Sequence, residues 1–109
     1  MPNYSKSVIY RIINKQTGET LYVGSTTNIR RRLTDHKSRC HNPKATHYNY
    51  PIYQHIRELG GWGSITHIII EQFSNCENKI DLLKREQEFI DEFKSSKNIM
   101  KSYIEKNNK

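Results

Sequence analysis

Apolar positions along this chain fall into two short runs near the start, then helically spaced stripes, then one longer run. Val8-Ile9-Tyr10 and Leu21-Tyr22-Val23 are rich in β-branched and aromatic residues, which suit a pleated, half-buried surface. The polar stretch between them ends in Gly18, the residue type a hairpin loop commonly needs at a positive-φ position. The pattern therefore predicts an antiparallel hairpin with strands over about 7–13 and about 20–24. Gly24, Ser25, Thr26 and Thr27 follow directly and suit an N-cap, so a helix is expected from near Asn28 to His36–Arg39. Its i, i+3, i+4, i+7 face carries Ile29, Arg32, Leu33 and His36. The two apolar residues anchor that face. An arginine and a histidine beside them line a polar cleft better than they fill a core.

Residues 38–48 contain Pro43 and show no apolar period, so they read as a loop. A second helix is expected from Pro51, with Asn49 or Tyr50 as its cap. Its stripe is Ile52, Ile56 and Leu59, and Gly60-Gly61 ends it. Ser64–Phe73 reads as a strand. Ile68-Ile69-Ile70 is apolar on both faces, which predicts a central position in the sheet. Ser74 and Glu77 have the spacing of a capping box, and a long helix follows to about Phe93. Its stripe is Leu83, Ile90 and Phe93, with Ile80 and Phe89 at the edges. The order β-β-α-α-β-α describes one α+β domain over residues 1–109, a three-stranded antiparallel sheet flanked by helices. Its core covers about residues 7–95 and a polar tail runs over residues 96–109.

Charge adds a partner to this picture. The 109 residues carry 18 Lys and Arg against 11 Asp and Glu, a formal charge of +7. That predicts a polyanion, nucleic acid ahead of an acidic membrane surface. Arg30 and Arg31 on the first helix, with Lys37, Arg39 and Lys44 on or beside the loop, are the candidate backbone contacts. No apolar run is long enough to cross a membrane and the N-terminus has no signal core, so an intracellular protein, cytoplasmic or nuclear, is expected. Cys40 and Cys76 read as free thiols, and Cys40-His41 with His47 fits no standard zinc spacing.

Glu86 is the one acidic residue placed on the apolar stripe of the last helix, three residues after Leu83 and four before Ile90. A carboxylate there is costly unless it meets a cation, so it needs a partner such as Arg32 or Arg85, or a metal.

Taken in order, Val8-Ile9-Tyr10, Tyr22-Val23-Gly24, Arg32 and Glu86 resemble the GIY-YIG nuclease domain. Val8 departs from the pattern, standing where the family usually has glycine. The spacing of Tyr10, Tyr22, Gly24 and Arg32, extended by Glu86, carries the resemblance over nearly the whole chain. The resemblance implies a divalent-metal-dependent DNA endonuclease that leaves 5′-phosphate and 3′-hydroxyl ends. It implies that Tyr10 and Tyr22 orient or activate the attacking water, with Tyr10 as base and Tyr22 as its partner. It gives Arg32 the task of stabilising charge on phosphorus, and His36 and His47 further catalytic places. Glu86 would be the single protein ligand to Mg2+ or Mn2+. One carboxylate suits a hard cation that keeps most of its water and takes substrate phosphate oxygens. Gly24 would let the first helix pack close to the strand, and Asn98 is the candidate for an asparagine the family carries after its long helix. The expected partner is DNA. One site cuts one strand, so a protein partner or a dimer would supply targeting or a second cut. The alternative is a non-catalytic nucleic-acid-binding module on the same fold, against which the intact Tyr10, Tyr22, Arg32 and Glu86 argue.

Overall fold

A computed structural model describes residues 3–95. Strands β1 (Val8–Asn14) and β2 (Thr20–Thr26) form the expected hairpin, closed by Gly18 at φ 77. Strand β3 (Ile65–Gln72) pairs antiparallel with the other side of β1, so the sheet order is β2-β1-β3. Helices α1 (Ile29–His41), α2 (Pro51–Glu58) and α3 (Lys79–Ser95) complete the order β-β-α-α-β-α, with short 3-10 turns at Tyr4–Lys6 and Trp62–Ser64. The α+β reading of the sequence therefore holds.

The sheet divides the interior in two. On one face Tyr10, Ile12 and Tyr22 pack with Cys40 of α1 and with Ile52, Tyr53 and Ile56 of α2. On the other, Ile9 and Val23 pack with Cys76 and with Leu82 and Ile90 of α3. Successive β1 residues serve opposite layers because side chains alternate along a strand. Ile9, Tyr10 and Ile12 are all fully buried. Burial of each isoleucine contributes roughly 2 kcal/mol.

The central strand is thus β1 and not, as Ile68-Ile69-Ile70 led one to expect, β3. Strand β3 lies at an edge and Ile68 is 38% exposed. Its β-branched residues are held by cross-strand pairing with Tyr10 and Arg11, which an edge position supplies as well as a central one.

Helix boundaries move for local reasons. The N-cap of α1 is Asn28, whose side chain accepts from the Arg31 backbone N–H at 3.1 Å. Ser25 and Thr26 instead finish β2. Helix α1 runs to His41, taking residues 38–41 out of the expected loop, because Cys40 continues the buried face four residues past His36. The first turn of α3 is closed by Asn78, whose Oδ1 accepts from the Asp81 N–H at 2.9 Å, so the Ser74–Glu77 spacing is not used as the cap. The buried face of α3 is Leu82 and Ile90, with Phe89 and Phe93 packed beside them. Leu83 and Ile80 are 46% and 65% exposed, a correction to the expected stripe. Asn98 and the tail at 96–109 lie outside the described residues.

Two arginines tie the layers. Arg57 donates to the carbonyls of Cys40 and Tyr48 at 2.8 and 2.9 Å, and its guanidinium lies 3.7 Å over the Tyr48 ring. It satisfies a carbonyl left open at the end of α1 and pins the 42–50 loop there. Arg85 grips Glu71 of β3 through two donors, both at 2.7 Å, holding α3 against the sheet.

Candidate active site

The C-terminal end of β2 is where residues of both layers become accessible together. Alternation sends Tyr22 toward the α1 side and Ser25 toward α3. Because β2 is an edge strand, no further strand among the described residues covers the gap between them. The result is an open cleft of about 440 Å³ whose walls include Tyr22, Ser25, Arg32, Lys79, Glu86 and Tyr4.

Within it Arg32 Nη2 donates to the Tyr22 hydroxyl at 3.3 Å. Arg32 Nε is buried without a hydrogen-bond partner among the described residues. The permanently charged guanidinium of Arg32 on the cleft wall can donate to a phosphate oxygen through its Nη groups. Opposite, Ser25 Oγ donates to Glu86 Oε1 at 2.7 Å. Neither arginine proposed as a partner for Glu86 pairs with it: Arg85 is taken by Glu71 and Glu88. Burial pushes the Glu86 carboxyl above its ordinary value, opposed by the Ser25 hydrogen bond and by the charge of Arg32.

Among the described residues no cluster of three or more His, Cys, Asp or Glu side chains is placed to enclose a metal. Glu86 alone fits a different arrangement. It is a hard oxygen donor on an open cleft, held by a hydroxyl rather than by a cation. Such a carboxylate suits a cation whose remaining positions are filled by water and phosphate oxygens.

Behind the cleft wall lies a buried chain of three polar rings. The Tyr10 hydroxyl is 2.7 Å from His36 Nε2, and His36 Nδ1 is 2.8 Å from the Tyr53 hydroxyl. The Tyr22 ring meets the His36 ring edge-on at 4.9 Å, and the Trp62 ring lies near-parallel to the His36 ring at 6.5 Å. His36 is buried, and that burial, followed by the charges of Arg32 and Arg39, pushes its pKa down to about 3. The imidazole is therefore neutral. One nitrogen donates and the other accepts, so the chain of hydrogen bonds has a single direction.

This geometry bears on two expected roles. Tyr10 has no exposed surface, and burial and then Tyr22 raise its pKa, so the phenolate a base requires is disfavoured. Of the Tyr10–Tyr22 pair, Tyr22 is the one on the cleft wall. His36, expected to donate to phosphate, has both nitrogens engaged by tyrosines. Gly24 is constrained by neighbours other than the helix. A Cβ there would stand 2.5 Å from Tyr22 Cε2 and 2.8 Å from the Tyr10 hydroxyl. Tyr10 is the cross-strand partner of Gly24, so the bare glycine is the floor on which both rings lie.

His47 is not on the cleft wall. It packs edge-on against Tyr50 at 4.6 Å, and partial burial followed by the charges of Arg39 and Arg32 lowers its pKa. Arg30, Arg31, Lys37 and Lys44 are exposed and Arg39 is half-buried. Two participants escaped the sequence reading. Ser25 had a plausible task as a helix cap. Tyr53 sat beside the apolar stripe of α2, where a buried hydroxyl in need of a partner was the available signal.

The family model of the GIY-YIG catalytic domain matches residues 6–101. No curated protein and no solved structure matches the chain. Enzymes of this family generally use a divalent metal, in keeping with the lone carboxylate of the cleft. The match spans nearly the whole sequence, and Tyr22, Arg32 and Glu86 meet in one cleft with Gly24 beneath the tyrosine pair. The chain belongs to the GIY-YIG catalytic domain family, and it is a nuclease.

Proposed function

We propose that this nuclease is a DNA endonuclease that hydrolyses a phosphodiester bond to 5′-phosphate and 3′-hydroxyl ends with one divalent cation, Mg2+ or Mn2+. The observation that carries the reading is the convergence of Tyr22, Arg32 and Glu86 on a single open cleft beside an edge strand. Tyr22, its hydroxyl held by Arg32, orients the attacking water. The guanidinium of Arg32 binds the phosphate oxygens on which charge develops. Glu86, steadied by Ser25, holds the cation. When bound there, the cation supplies Lewis-acid polarisation of a phosphate oxygen and eases departure of the leaving oxygen. Tyr10 and His36 do not touch the substrate. They back the Tyr22 ring and keep its hydroxyl directed at Arg32. His47, Arg30, Arg31, Lys37, Arg39 and Lys44 hold the backbone of the duplex. A partner protein or a second copy supplies targeting or the second-strand cut.

Supercoiled plasmid incubated with the protein and Mg2+ or Mn2+ is expected to become open circles, and excess chelator is expected to stop the reaction. The nicks should be sealed by DNA ligase, which requires a 5′-phosphate beside a 3′-hydroxyl. Salt-sensitive retardation of the plasmid without any nicking would favour a binding module instead. Nicks that ligase cannot seal would contradict the assigned ends.

A further inference from the structure

Arg32 separates the active cleft from a second groove. This groove, about 570 Å³, is lined by Asn3 and Lys6 of the N-terminal turn and by Asn28, Arg31, Arg32 and Asp35 of α1 and its cap. Thr26 and Thr27 border both spaces, so the two lie side by side around the end of β2. The groove is polar and open, and its cations outnumber its acids. Lys6, Arg31 and Arg32 face it against the single carboxylate of Asp35. Lys6 and Arg31 are exposed, and no acidic side chain lies within ion-pair distance of either among the described residues.

A nuclease acts on a polymer whose charges recur along each strand, so the phosphate in the cleft has neighbours on either side that need a path. Toward α3 the cleft wall carries Lys79 and the exposed Leu83. Toward the N-terminal turn it adjoins the second groove. From this adjacency and the excess of cations we infer that the groove is a flanking-phosphate site, in which Lys6 and Arg31 bind the backbone of the cleaved DNA strand next to the scissile position. The inference rests on the nuclease reading above and adds a strand path to it. Arg32 then stands between consecutive phosphates, its Nη2 on the cleft side with Tyr22. Asp35 is a built-in brake, one unfavourable charge beside three favourable ones, which limits how tightly DNA of any sequence is held.

The test is equilibrium binding of a labelled duplex, followed by fluorescence anisotropy in chelator across a range of salt. Lys6→Ala and Arg31→Ala should each weaken binding about three- to tenfold at fixed salt, and each should flatten the salt dependence by about one unit of slope. Asp35→Asn should tighten binding about two- to fivefold, a gain that damage to the fold would not produce. Lys15→Ala is the control. Lys15 lies in the β1–β2 turn, at the opposite end of the hairpin from the cleft, where it donates to the Gly63 carbonyl. Its loss should leave binding and slope close to wild type. If wild type nicks plasmid but Lys6, Arg31 and Asp35 variants bind as Lys15→Ala does, the groove does not carry the strand and the nuclease reading survives. If wild type neither binds nor nicks DNA, both fall.

Discussion

Ser25 Oγ donates to Glu86 Oε1 at 2.7 Å, joining two residues 61 positions apart and linking the end of β2 to the middle of α3. The bond fixes which way the carboxylate points, and no cationic side chain among the described residues forms an ion pair with it. Removing the hydroxyl should leave Glu86 in the cleft but free to rotate. Ser25→Ala should therefore raise the Mg2+ concentration for half-maximal nicking about tenfold, the lower end of what loss of an outer-shell hydrogen bond to a metal ligand costs. Ser25→Thr, which keeps the hydroxyl, should recover most of it. An unchanged metal requirement in Ser25→Ala would show that the bond does not orient the carboxylate.

The chain from Tyr10 through His36 to Tyr53 is buried at every member. Tyr53→Phe keeps the ring and deletes the hydroxyl, leaving His36 Nδ1 unpaired in the interior. The expected cost is about 1–3 kcal/mol of stability, read from urea unfolding. A midpoint equal to that of wild type would place another partner on that nitrogen.

Acid should unfold the protein partly through His36. Its pKa is about 3 in the folded state, against an ordinary 6.5. Between those values the unfolded chain binds a proton that the folded one does not, so stability rises with pH there. The contribution is complete above about pH 6.5 and is lost as pH falls toward about 3, by up to roughly 1.4 kcal/mol per pH unit. Glu86, pushed up by burial, acts in the opposite sense, so the comparison must be made between proteins that differ only at position 36. His36→Gln, which retains one donor and one acceptor, should flatten the dependence measured by urea unfolding at pH 7.5, 6 and 5. Identical slopes in the two proteins would mean that His36 is not held neutral.

Gly24→Ala introduces a methyl group where Tyr22 Cε2 and the Tyr10 hydroxyl already stand at 2.5 and 2.8 Å. Both rings must move, and overpacking of this kind costs about 1–3 kcal/mol. Nicking should fall more steeply than stability, because the displaced group includes the hydroxyl that Arg32 grips at 3.3 Å. Nicking at the wild-type rate in a folded Gly24→Ala protein would show that the tyrosine pair tolerates displacement.

What the sequence disclosed and what it hid follow from one distinction. Patterns with a period were readable. The hairpin, the three helices and the strand at Ile65–Gln72 all announce themselves by alternation or helical spacing. Placement across the sheet was not. The run Ile68-Ile69-Ile70 has the composition of a central strand, yet the center went to β1, a choice made by pairing partners distant in the chain. The same limit governed the site. Tyr22, Arg32, Gly24 and Glu86 were found as a set because their spacing resembles a known family. Which tyrosine reaches the cleft depends on the burial of Tyr10 behind His36, and that is fixed by Tyr53 on another helix. Ser25 was misassigned because serine after a strand serves equally as a helix cap. Only the arrival of Glu86 from α3 shows which role it fills.

The most direct test of the active cleft is the initial rate of plasmid nicking in Mg2+ by wild type, Glu86→Ala and Arg32→Ala, each confirmed as folded by circular dichroism. The account predicts that both variants lose about a hundredfold or more, the scale on which removal of one charge-stabilising group from a reaction centre is felt. Nicking by either variant at the wild-type rate would contradict it and place the chemistry elsewhere on the molecule.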